Sequence, residues 1–223
     1  MAKELGCEVV LVRHAHSTAN LKGVLAGRDN RVSLSPRGKR EAEELASHLS
    51  AMNFDAIYSS PLRRCLDTLA PYLSQSKHKV IIRDELIEME YGRWSGKPLA
   101  TLAKQEMWKT IQSRPSTVRF PGGESFGEMS LRANQLILEQ ATRHRRILVL
   151  SHGDVIKAIA AFHLGSPLDS FQRISIDPAS ISIIRVPSSH VITLNSTSHL
   201  TREGGPDKGK RDKFNLGGGQ GKL

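Results

Sequence analysis

At two places in this chain, reactive side chains stand directly behind apolar runs. Val9-Val10-Leu11-Val12 leads into Arg13 and His14, and Ile147-Leu148-Val149-Leu150-Ser151 leads into His152 and Gly153. The run Ser60-Pro61-Leu62-Arg63-Arg64 adds two guanidinium groups, and the segment Asp84 to Gly96 adds the carboxylates Glu85, Glu88 and Glu90. Just past the first histidine, Ser17 to Asn20 supplies hydroxyls, an amide and backbone N–H groups. All of these suit phosphate oxygens. An imidazole can be a nucleophile or a proton carrier, and a guanidinium fork matches pairs of oxygens on one anion. The combination reads as an anion site. Each member also has an ordinary reading, since a lone strand-end histidine is commonly a hydrogen-bonded core residue and a first-turn arginine commonly a solvated charge. His14 and His16 form a His-x-His pair that could ligate zinc if they shared one strand face. Neither a Cys nor a carboxylate set completes such a site, and Arg13 would repel the cation, so no metal or other cofactor is expected.

The elements that must position these groups are strands buried on both faces. Four aliphatic residues in a row mark the centre of a parallel sheet, and ligands bind beyond the carboxyl ends of such strands. Both histidines are therefore expected at one sheet edge. Leu34-Ser35-Pro36 announces a helix to about Ser50, and Asp55 to Ser60 reads as a strand. Ser60-Pro61 repeats the Ser-Pro start signal, for a helix carrying Leu62, Cys65, Leu66 and Leu69 with Arg63 and Arg64 in its first turn. Lys79 to Arg83 is a third strand, Leu99 to about Gln112 a helix, and Glu124 to Arg145 a long helical pattern. The last two could cap the sheet edge as a lid. Asp154 to Leu164 is a helix stopped by Gly165, and Ser180 to Pro187 with His190 to Leu194 is a late hairpin or pair of edge strands. The fold class is α/β, a three-layer α/β/α arrangement around a central, mostly parallel sheet.

With 223 residues and 39% apolar composition, the chain can bury one substantial core. One domain over 1–200 is expected. From 201 to 223 the composition turns to Gly, Lys, Asp and Gln, so a disordered basic tail is expected there. Neither a long apolar run nor a signal-peptide pattern is present, which predicts a cytoplasmic protein without membrane contact. Cys7 and Cys65 lack metal-ligand spacing and are expected to be reduced core thiols. The formal charge of +10 favours an anionic partner. A nucleic acid is not expected, because aromatics are only 5% and the basic residues are scattered rather than striped. The apolar late strands could support a homodimer as readily as a buried edge.

Arg13-His14, the Ser60 to Arg64 turn, Leu86-Ile87-Glu88 with Gly92 to Gly96, Pro121 to Ser125 and Ser151-His152-Gly153 come in an order and spacing that resemble the histidine phosphatase superfamily, in its phosphoglycerate mutase-like branch. The resemblance spans about positions 8 to 187. Within the branch the chain is most similar to bacterial proteins described only as phosphatases or phosphomutases. The resemblance implies that His14 is the nucleophile, that Arg13, Arg64 and His152 complete a phosphate pocket with Ser17, Asn20 and Gly153, and that Glu88 is the acid. Arg63 is then the variable neighbour, and Glu85 and Glu90 match nothing and are expected to be solvated. The chain departs from the family's pattern at Ala15 and His16, at Ser95, and in the loop from Gly27 to Leu34, which is one residue longer than usual. These changes fall on the pocket rim.

The implied activity is phosphomonoester hydrolysis through a phosphohistidine, with a small anionic phosphorylated metabolite as substrate. A phosphomutase would need further basic contacts for a second anionic group and a phosphoenzyme shielded from water. The mutases of the branch carry paired arginines in a longer insert, whereas here Arg114, Arg119 and Arg132 stand apart and the Pro121 to Ser125 segment follows the phosphatases. The reading from another class is a phosphate-binding regulator without turnover.

Overall fold

The computed structural model describes residues 6–201. Strand β1 is Cys7–Arg13, and after a short helix α1, Thr18–Lys22, come helix α2, Pro36–Leu49, strand β2, Ala56–Ser59, helix α3, Arg63–Gln75, and strand β3, Val80–Ile82. Helices α4, Leu99–Leu102, α5, Glu106–Ser113, and α6, Phe126–Ala141, precede strand β4, Arg146–Ser151, and helix α7, Gly153–His163. Strands β5, Ile181–Val186, and β6, His190–Ser196, complete a six-stranded sheet of order β3-β2-β4-β1-β5-β6. Strands β1 to β4 run parallel, β5 is antiparallel to β1, and β6 is antiparallel to β5. The mostly parallel three-layer expectation holds.

The two apolar runs become the adjacent central strands β1 and β4, and every residue of Val9–Val12 and Ile147–Leu150 is buried. Successive strand residues point to opposite faces. Val9 and Leu11 accordingly enter one core with Met129, Ala133 and Ile137 of α6 and Ile156 and Ile159 of α7. Val10 and Val12 enter the other, with Leu45 and Leu49 of α2 and Cys65 and Leu69 of α3. Each fully buried aliphatic side chain contributes roughly 1.5–3 kcal/mol, so these layers hold the strands whose ends carry the site. Cys7 and Cys65 are buried free thiols. Among the described residues no helix is long and apolar enough to cross a membrane.

Four expectations need correction. Ser60 does not cap α3: the helix starts at Arg63 behind the extended residue Leu62, with no side-chain cap. The run Leu99 to Gln112 is two helices, because the backbone leaves the helix after Ala103 and is extended at Gln105, from which α5 starts afresh. The long pattern from Glu124 shortens to α6, opened by Ser125, whose side chain accepts from the Glu128 N–H while the Glu128 carboxylate accepts from the Ser125 N–H. Nor is α6 a lid, since its apolar side is committed to the sheet face against β1 and α7. The tail expected over 201–223 lies outside the described residues, save for Thr201.

The reciprocal cap on α6 sets one measurable quantity. Ser125→Ala should lower stability by about 1 kcal/mol, read as a lower urea midpoint at unchanged slope.

Candidate active site

Strand register builds the site. Arg13 pairs with Ser151 and Ser59 with Leu150, which brings the carboxyl ends of β1, β4 and β2 side by side. The His14 N–H donates to Ser151 O at 3.0 Å and the Ser60 N–H to Leu150 O at 3.0 Å. The imidazoles of His14 and His152 stand 5.2 Å apart, edge to face. Arg13 sends Nη1 back to Ile176 O at 2.5 Å. From the first turn of α3, Arg64 donates Nη2 to Gly27 O at 2.8 Å and to His152 Nδ1 at 3.1 Å. His152 Nδ1 thus accepts, leaving its Nε2–H to meet Ser60 Oγ at 2.7 Å. The hydroxyl that resembled a helix cap is instead the partner of the second histidine.

The loop that carries His14 can pass so close to α2 because residue 38 is glycine. A Cβ at Gly38 would run into the His16 carbonyl oxygen. His14 Nδ1 lies 2.8 Å from Ala15 O, which fixes the proton on Nδ1 and frees the Nε2 lone pair. Ala15 is buried and packs with Leu34, Ala42 and Ala179, so its extra methyl is absorbed beneath the nucleophile loop.

Burial, then the Arg64 and Arg13 charges, hold the His14 pKa well below the usual histidine range. His152 is depressed in the same direction by burial, Arg64 and His14. Both imidazoles are therefore neutral near pH 7, and the 3.8 Å approach of His152 Nδ1 to Glu88 Oε2 is no ion pair. Glu88 is only 5% exposed, and burial followed by the Asp154 charge pushes its pKa up to about 7, against the opposing pull of Arg64 and Arg13. A carboxyl so poised is half protonated at neutral pH and can both give and take a proton.

A second tier of buried polar groups stands behind Glu88 and left no signal in the sequence. Asp154, wholly buried on the first turn of α7, accepts from Tyr91 Oη at 2.6 Å and lies 3.6 Å from Lys157 Nζ. Lys157 reaches Gln172 Oε1 at 3.3 Å and covers the Phe171 ring. Its pKa is lowered, chiefly by burial.

The predicted residues are thus largely brought together: Arg13, His14, Arg64, Glu88 and His152 meet at one strand edge, with Gly153 opening α7 beside them. Ser17 and Asn20 bind first to each other, Ser17 donating its N–H and Oγ–H to Asn20 Oδ1. Arg63 is exposed and pairs with Asp67. Glu85 and Glu90 are not simply solvated, because Glu85 pairs with Arg83 and Glu90 with Arg28. His16 lies past the end of β1, so the shared-face argument for zinc does not apply. Its Nδ1 meets Ser35 Oγ at 2.8 Å.

The family model for the histidine phosphatase superfamily, branch 1, matches residues 9–196. The chain is 34% identical over 199 residues to phosphoserine phosphatase 1 of Hydrogenobacter thermophilus, a match covering 86% of this chain and 94% of that protein. It is 26% identical to a 2,3-bisphosphoglycerate-dependent phosphoglycerate mutase of Thermoplasma acidophilum, over 85% of this chain and 92% of that one. Among solved structures, phosphoserine phosphatase of Entamoeba histolytica in complex with 3-phosphoglyceric acid superimposes with a TM-score of 0.78 at 26% identity, over 87% of this chain and 100% of that one.

Removing one partner of a buried ion pair leaves the other charge uncompensated. Lys157→Met should therefore cost about 3–5 kcal/mol, several times the Ser125→Ala effect, read in the same urea unfolding experiment.

Proposed function

The chain belongs to branch 1 of the histidine phosphatase superfamily, and on that premise we propose how its pocket hydrolyses a phosphomonoester through a phosphohistidine. His14 Nε2 attacks phosphorus in line with the ester oxygen, and the phosphorus–oxygen bond to the leaving group breaks as the bond to nitrogen forms. Glu88 gives its proton to the departing alkoxide. It then takes a proton from water, whose oxygen attacks phosphorus, breaks the phosphorus–nitrogen bond and returns His14 neutral. Water and ester are consumed, and alcohol and phosphate are released. Arg13 and Arg64 hold the equatorial oxygens, where charge spreads in the transition state, and His152, set between Arg64 and Ser60, keeps the Arg64 guanidinium in place. Asn20 Nδ2 and the N–H groups that open α7 at Gly153 add donors for the same oxygens.

The observation that carries this reading is the cluster at one strand edge. His14, its Nδ1 held by Ala15 O, stands edge to face 5.2 Å from His152, whose Nδ1 meets the buried Arg64 at 3.1 Å and lies 3.8 Å from the buried Glu88 carboxyl. Burial and the arginine charges keep the His14 imidazole neutral, while burial lets the carboxyl hold its proton to about pH 7. The nucleophile thus needs no prior deprotonation, and the acid is ready.

Hydrolysis is favoured over mutation of a phosphate between positions by what Arg119 and Arg132 do. Arg119 pairs with Glu128, and Arg132 is bound to Glu124 and to the Glu85 carbonyl. Neither is left to hold the second anionic group that a mutase must grip. The substrate we propose is a small phosphorylated metabolite. The relatives named for phosphoserine support that class, and the basic charge of the chain favours an anion.

The test is phosphate release from a panel of phosphomonoesters with a chelator present. His14→Ala should abolish release, and Glu88→Ala should lower kcat/KM by roughly 10²–10⁴-fold. In the wild type, kcat/KM should fall as pH rises through about 7, where Glu88 loses its proton, and should hold below pH 6.5, because His14 resists protonation. Turnover that survives in His14→Ala would overturn the phosphohistidine. Transfer of phosphate between phosphoglycerates that outruns release would overturn the hydrolase.

A further inference from the structure

Glu88 stands on a loop, and a loop does not by itself hold a carboxyl at the distance proton transfer requires. Three other segments hold it here. Arg28 donates Nε to the Glu88 carbonyl at 2.9 Å, and Arg132 of α6 donates Nη2 to the same oxygen at 3.3 Å and Nη1 to Glu85 O at 2.6 Å. Both arginines end on one carboxylate: Glu124 Oε1 accepts from Arg28 Nη2 at 3.0 Å and from Arg132 Nη2 at 2.8 Å. The same oxygen takes the Glu90 N–H at 2.9 Å, and Glu124 returns its own N–H to Glu90 O at 3.0 Å. That approach requires Gly123, where a Cβ would collide with the Glu90 carbonyl oxygen. Arg28 in turn sits between Gly27 and Asp29, whose carbonyls accept from Arg64 at 2.8 and 3.5 Å. The backbone of the acid and the guanidinium of the phosphate pocket are therefore tied through three consecutive residues.

We propose that Arg28 and Glu124 are positioning residues for the reaction. Acting through the Glu88 carbonyl and the Glu90 amide, they fix the segment that presents the Glu88 carboxyl, and through Gly27 they hold that segment in register with Arg64. The inference rests on Glu88 being the acid. Nothing in it places either residue against substrate. Its chemical signature is specific: a misplaced acid harms esters whose alcohol leaves poorly and spares those whose alcohol leaves well.

The experiment compares Arg28→Met, Glu124→Gln and, as reference, Glu88→Ala on phenyl phosphate, whose leaving group needs the proton, and p-nitrophenyl phosphate, whose leaving group scarcely does. The side chain of Arg28 is 31% exposed, so its replacement leaves the core intact, and thermal midpoints are recorded for every variant. The expected result for Arg28→Met is a loss in kcat/KM of about tenfold or more on phenyl phosphate and no more than about threefold on p-nitrophenyl phosphate, with Glu124→Gln smaller in the same sense. Equal losses on both esters, or none on either, in variants alongside a Glu88→Ala enzyme that does discriminate would overturn the positioning role alone. If Glu88→Ala itself fails to discriminate between the esters, the assignment of the acid falls, and the positioning role falls with it.

Discussion

Two guanidinium groups, Arg13 and Arg64, are 2% and 1% exposed at the head of the sheet. Taking such charges out of water costs several kcal/mol each unless neighbours compensate. Dipoles supply part of the compensation, from carbonyl oxygens of Ile176, Gly27 and Asp29 and a ring nitrogen of His152, and the carboxylates Glu88, Asp177 and Asp154 act on Arg13 as charges. Glu88, the first of these carboxylates, is itself held partly protonated at neutral pH by burial and by Asp154. The pocket keeps a positive potential that a dianionic phosphoryl group would satisfy. Burial first, and then that same potential, holds both imidazoles neutral, whereas Glu88 keeps its proton through burial and the Asp154 charge, against the pull of the two arginines.

The condition can exist only where the backbone brings the groups together. Parallel strands in register end at one height, and the turn from β2 into α3 swings Arg64 over that edge. Apolar packing on both faces, supplied by α2 and α3 below and α6 and α7 above, makes the edge rigid. Stability and chemistry meet most directly at Asp154. It raises the pKa of Glu88, pairs with Lys157 and receives the Tyr91 hydroxyl, while its neighbour His152 faces the pocket.

What the sequence made legible follows from how local each signal is. The strands β1 and β4 announce themselves by continuous apolar runs, and with them the places of His14 and His152. Ser60 misled because a serine before a proline looks the same whether it caps a helix or turns its hydroxyl to an imidazole 92 residues away. The three carboxylates Glu85, Glu88 and Glu90 could not be told apart by composition, and it was the resemblance that selected Glu88. Only the fold shows that it alone of the three is buried. Arg28 carried no local signal, and the motif that contains Glu124 gave it no role, since their partners lie 60 and 34 residues away along the chain. The break between α4 and α5 was invisible for the same reason, because no glycine or proline marks it.

Strand β4 sits between β2 and β1, so the two earlier strands never pair with each other. On a ribosome, the chain through Ser113 would therefore emerge with the apolar run of β1 and the edge of β2 open, and no sheet could close until residues 146–151 arrived. Non-local strand insertion of this kind is slow and leaves hydrophobic surface exposed in the interim. The order of strands that aligns the two histidines thus postpones the pocket until β4 is inserted, and α7 and β5, later still in the chain, must then close the core on both faces of the sheet.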